Sequence, residues 1–78
     1  MEKNATIFAR LIDLLDVMDA RATINIFVEK DGKQTSVKFL KVYEFLSEPE
    51  LMRKYKNYSV IGLDCGFSST NILIKEEV

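Results

Sequence analysis

The chain is predicted to fold as an α+β, two-layer sandwich, αββαββ, with a mostly antiparallel four-stranded sheet built from two hairpins and helices packed on one face. Three observations predict it. Asp31-Gly32 divides Thr23–Val42 into two alternating runs. A second alternating pair, Asn57–Cys65 and Thr70–Lys75, flanks Gly66-Phe67-Ser68-Ser69. A helix-forming stretch precedes each pair.

The first helix begins at Asn4, whose side chain can cap the first free amides. Ile7, Leu11, Leu14 and Met18, with Phe8, Ile12 and Leu15 beside them, keep the 3.6-residue period and fill one broad stripe. Asp13, Asp16 and Asp19 step across the back of that helix, each turned about 60° from the last. That fan suits a solvated face; an acidic ridge for a basic partner or a metal is the functional alternative.

Asp-Gly between alternating runs signals a type I′ turn, which needs positive φ at both central residues. Placing the turn there pairs Lys30 with Lys33, then Val28–Thr35, Phe27–Ser36, Ile26–Val37, Asn25–Lys38, Ile24–Phe39 and Thr23–Leu40. Alternation puts Ile24, Ile26, Val28, Val37 and Phe39 on an inner face. The outer face then holds Thr23, Asn25, Phe27, Ser36, Lys38 and Leu40. Val42–Leu46 either finishes the second strand or starts a short helical turn.

Ser47-Glu48-Pro49-Glu50 reads as a capping box opening the second helix, with Pro49 tolerated in the first turn. Leu51, Met52 and Tyr55 then face the core. Arg53, Lys54 and Lys56 fall at the C-terminal end, where cations suit the helix dipole. In the second hairpin, Cys65 pairs with Thr70, Leu63 with Ile72 and Ile61 with Ile74. The reverse face takes Tyr58, Val60, Gly62, Asp64, Asn71, Leu73 and Lys75. Strand order across Val42–Lys56 is left open.

Seventy-eight residues, 1–78, are expected to form a single domain with a modest core. A net charge of −1 disfavours an electrostatic nucleic-acid binder. The chain has no histidine, so the commonest general base and the commonest transition-metal ligand are missing. Its single cysteine, Cys65, has no internal disulfide partner, and it is expected to be a buried free thiol on the inner face. No apolar run of transmembrane length and no secretory signal is present, so the expected location is cytoplasmic.

Residues 60–71, Val-Ile-Gly-Leu-Asp-Cys-Gly-Phe-Ser-Ser-Thr-Asn, locally resemble the first phosphate-binding hairpin of the actin, heat-shock-chaperone and sugar-kinase superfamily. The resemblance implies a nucleotide or phosphate site at Asp64–Thr70. Asp64 would organise a metal-bound water, and the amides of Gly66, Phe67, Ser68 and Ser69 would cradle phosphate. Phe67 departs from the pattern, which has a small residue there, and that superfamily's motif opens a far longer domain. Three further segments, Val28-Glu29-Lys30-Asp31-Gly32-Lys33, Phe45-Leu46-Ser47-Glu48-Pro49-Glu50-Leu51 and Tyr58-Ser59-Val60-Ile61, extend a likeness over most of the chain. Behind its amphipathic first helix, the chain is similar to small accessory proteins carried by phages and mobile elements of low-GC Gram-positive bacteria. That likeness implies a cytoplasmic protein that binds a host or element-encoded protein.

From the residues themselves, the main functional expectation is a non-enzymatic protein-interaction module, self-associating as a homodimer or binding another protein. Its candidate interface is the outer sheet face, with Phe27, Leu40, Tyr58, Val60 and Leu73 as apolar contacts and Lys38 in the polar rim. The structural alternative is that the second helix covers this face. Neither catalytic residues, cofactor nor metal is expected. The remaining alternatives are a phosphate loop at Asp64–Thr70 and a nucleic-acid accessory role for Lys38, Lys41, Arg53, Lys54 and Lys56.

Overall fold

A computed structural model of the protein describes residues 10–76. Asn4, Ile7 and Phe8 lie outside the described residues. The elements are α1 (Leu11–Val17), β1 (Thr23–Lys30), β2 (Lys33–Lys41), α2 (Val42–Leu46), α3 (Pro49–Tyr55), β3 (Ser59–Cys65) and β4 (Thr70–Lys75). The α+β class and the four-stranded sheet are as predicted. Val42–Leu46 is helical, so the second helical stretch is two short helices rather than one.

The strands lie in the order β2-β1-β4-β3. Both hairpins are antiparallel, and they meet through a parallel pairing of β1 with β4. This order places the most apolar strands in the middle. Ile24 and Ile26 of β1 and Ile72 and Ile74 of β4 are fully buried on one face. They form a core with Leu11, Leu14 and Leu15 of α1, Val42 and Phe45 of α2, and Tyr55 of α3. Among the described residues, all three helices therefore send their buried side chains to the same sheet face, and no helix covers the other.

The helix ends explain how this cover is held. Isolated helices of this length are unstable, and their first amides need partners. In α1 the amides of Leu11 and Ile12 donate to the carbonyls of Tyr58 and Lys56, at 2.8 and 3.0 Å. In α2 the amides of Val42 and Tyr43 donate to Ala22 and Ala20, both at 2.9 Å. These two helices are thus latched to chain segments entering a strand.

The first turn is as predicted: Asp31 and Gly32 both have positive φ, 55° and 79°. The register matches from Lys30–Lys33 to Phe27–Ser36, then a bulge intervenes. Beyond it Ile26 pairs with Lys38, Asn25 with Phe39 and Ile24 with Leu40. The extra residue corrects the predicted faces. Leu40 turns inward and packs against the core with Val37, while Phe39 turns outward and is 64% exposed. The spacing of three between Val37 and Leu40 is incompatible with strict alternation, and a bulge reconciles it.

The second hairpin repeats the device. Cys65–Thr70 and Leu63–Ile72 pair as predicted, but a bulge at Ile61 sets Val60, not Ile61, opposite Ile74. Val60 is consequently in the core and Ile61 is exposed. Cys65 is also exposed, not buried. It keeps inner-face parity but sits at the far end of an edge strand, past the helices. The predicted capping box is not formed either. The N-cap of α3 is Glu48, without a side-chain bond, and the Ser47 hydroxyl donates instead to the Tyr43 carbonyl at 2.8 Å. Ser47 closes α2 rather than opening α3.

Candidate interface on the open sheet face

The outer face is a grid set by the pairings. One row across the sheet reads Phe39, Asn25, Asn71, Asp64. The next reads Ser36, Phe27, Leu73, Gly62. Phe27 and Leu73 are half-buried by each other and their neighbours, forming an apolar centre between polar rows. Gly62 contributes no side chain opposite Leu73. The result is an open depression of about 330 Å³, lined by Phe27, Gln34, Gly62, Asp64, Asn71 and Leu73 with Leu63 at its edge. A Cβ at Gly62 would approach Leu73 Cβ to 3.2 Å, so the missing side chain is what opens this floor.

The six residues expected at the interface separate. Phe27 and Leu73 are adjacent on the outer face, in register across β1 and β4. Unbroken alternation places Leu40 and Val60 there too, but the two bulges move both to the core side. Tyr58 precedes β3 and packs against the core, its ring edge-on to Tyr55 at 5.0 Å. Burial, and secondarily the Glu76 carboxylate, holds its phenol above the usual tyrosine range. Lys38, expected in the outer rim opposite Asn25, is moved by the first bulge opposite the inner-facing Ile26, so it leaves the outer face while its side chain stays exposed. Alternation misses Phe39, whose exposure makes it the outlying apolar group of this face.

Asn25 adds a polar feature. Its Oδ1 is buried and accepts no hydrogen bond from the described residues. An unmet buried acceptor costs about 1–3 kcal/mol. It lies between Phe39 and Asn71 in the same row.

The other sequence-derived candidates find structural roles. Asp13 accepts from Arg10 Nη2 at 3.1 Å and Nε at 3.2 Å, while Arg10 Nη1 reaches Asn57 at 3.2 Å. This hydrogen-bonded pairing lowers the Asp13 pKa and raises that of Arg10. Asp19 lies beyond the helix and accepts from the Arg21 amide at 2.8 Å. The acidic ridge is therefore broken up. At the Asp64–Thr70 loop, the Gly66 amide donates to the Ser69 carbonyl at 2.7 Å, so it is not free to receive phosphate. Asp64 faces outward beside Asn71, as the register predicts. Lys54 lies over the Tyr55 ring at 5.3 Å. A second depression, of about 460 Å³, runs along the seam between the hairpin tip and the end of α3. Its charges are mixed, with Lys30 and Lys54 against Glu29 and Glu76.

No helix among the described residues is long and apolar enough to cross a membrane. Comparison with protein-family models, curated proteins and solved structures gives no match.

Proposed function

We propose that this chain is a non-enzymatic protein-interaction module that docks a protein partner on the open face of its sheet. The observation that carries the reading is the Phe27–Leu73 centre, opened by Gly62 and rimmed by Asn71, Asp64 and Gln34. Apolar area inside a polar rim is the arrangement of a protein interface. The residues favour binding over chemistry: the outer face offers carboxamides and a carboxylate, with no histidine in the chain to activate a nucleophile. The likeness to mobile-element accessory proteins supports an adaptor or inhibitor acting in the cytoplasm, where an exposed free Cys65 is at ease.

The test is affinity capture from a Gram-positive bacterial lysate, using wild type, Phe27→Lys and Lys54→Ala as baits. A protein retained by wild type and Lys54→Ala but lost with Phe27→Lys is the expected result. Equal recovery on all three baits, or none on any, rejects the open face as the docking surface.

A further inference from the structure

The sheet has two edges, and they are guarded unequally. Edge strand β2 carries Lys33, Lys38 and Lys41 among polar Gln34, Thr35 and Ser36. Lysines along an edge resist pairing with another strand, because docking would strip their water. Edge strand β3 reads Ser-Val-Ile-Gly-Leu-Asp-Cys, with Asp64 as its sole charge. Ile61 is 46% exposed, Leu63 is 51% exposed, and Phe67 in the adjoining loop projects fully into solvent.

The bulge at Ile61 marks one end of the usable edge, and Cys65 marks the other. Leu63 stands at the centre of 61–65. Backbone direction adds to this. The Gly66 amide bonds to Ser69, so Gly66, Asp64 and Gly62 turn their N–H and C=O toward β4 by alternation. Leu63 and Cys65 turn theirs to the open edge. We infer that β3 pairs antiparallel with β3 of a second copy, about a two-fold axis at Leu63. Leu63 then exchanges backbone hydrogen bonds with its own copy. Ile61 falls opposite Cys65, and Gly62 opposite Asp64, so no charge meets a like charge. Two four-stranded sheets become one continuous sheet, and each docking face stays free. The inference stands apart from the proposed partner site, since it uses the edge rather than the face.

Light scattering on purified protein tests it, with circular dichroism to check folding. Wild type is expected at twice the chain mass, Leu63→Lys at the single-chain mass with an unchanged spectrum, and Phe27→Lys at twice the chain mass. The register has its own readout. Ile61→Cys places a new thiol opposite Cys65 of the other copy, at a separation antiparallel pairs allow for a disulfide. Mild oxidation is expected to cross-link that variant into a covalent dimer on a non-reducing gel, and to leave wild type uncross-linked. A monomeric wild type overturns the inference. So does a dimer that survives Leu63→Lys and dissociates with Phe27→Lys, which would move the contact to the open face.

Discussion

The two hairpins are built alike and finished differently. Each has a bulge in its edge strand, and each contributes two fully buried isoleucines to the core from its inner strand. They diverge past the edge strand's inner-facing leucine. After Leu40, β2 runs directly into α2, whose Val42 and Phe45 are fully buried. After Leu63, β3 runs on to an exposed cysteine and an exposed loop. Leu40 is opposite Ile24 and packs against the core; Leu63 is opposite the equally buried Ile72 yet is half exposed. Burial of a strand residue therefore depends on which helix arrives above it, and not on its pairing partner alone. Among the described residues, the consequence is an edge strand that carries no lysine and has no helix above its far end.

Truncating the two leucines measures that difference directly. Leu40→Ala is expected to lower stability by about 1–3 kcal/mol in urea unfolding, since it removes methyl groups packed on the core. Leu63→Ala is expected to stay within about 0.5 kcal/mol when the protein is dilute enough to be monomeric. If the deficit of Leu63→Ala grows with protein concentration, paired edges account for it by mass action. Equal deficits in dilute protein would mean that Leu63 is covered in the folded monomer, and the contrast between hairpins would fail.

Much of this was legible in the residues. The Asp31-Gly32 turn, the Cys65–Thr70 register and the inner-facing isoleucines come from turn chemistry and alternation, which are local. Lys38, Phe39, Leu40, Val60 and Ile61 depart from simple alternation for one reason, a single inserted residue per edge strand. Its signal was present. Val37 and Leu40 are both apolar at a spacing of three, and Gly62 interrupts a strand, a common mark of a bulge. The strand order was not legible, because joining β1 to β4 depends on burying Ile24, Ile26, Ile72 and Ile74 together, a long-range gain that no local pattern encodes. On the outer face, Phe27 and Leu73 stand where alternation puts them, and Phe39 takes the place of Leu40 as the neighbouring apolar group.

Two glycines, one in each hairpin, differ on a smaller scale. Gly32 has φ of 79° and open space around its Cα, so Gly32→Ala meets no neighbour and is strained only in backbone conformation. A loss of about 1 kcal/mol is expected in the same unfolding measurement. Gly62→Ala is the counterpart in the second hairpin. It adopts an ordinary backbone conformation, and the nearest atoms to its new Cβ belong to the flexible Leu73 side chain, from 3.2 Å. A smaller loss is expected there, with the depression partly filled. A larger loss for Gly62→Ala than for Gly32→Ala would show that the second bulge, rather than the first turn, is the tighter constraint.

The smallest expected effect concerns how the helical cover is fastened to each hairpin. Cover over the first hairpin is tied by backbone bonds from Val42 and Tyr43, which do not titrate between neutral and acid pH. Cover at the entry to the second adds a titratable clip, Arg10 to Asp13 and Asn57. Hydrogen bonding from Arg10 lowers the Asp13 pKa in the folded chain. The clip's contribution is therefore present above the unfolded carboxyl value and is lost as pH falls through the lower, folded value. Both side chains are exposed, so the contribution is modest and screened by salt. The Tm gap between wild type and Asp13→Asn is expected to be positive at neutral pH and to close in acid, more clearly in low salt. A gap that persists unchanged in acid would assign Asp13 a packing role instead, and would make the fastening of the two hairpins equivalent.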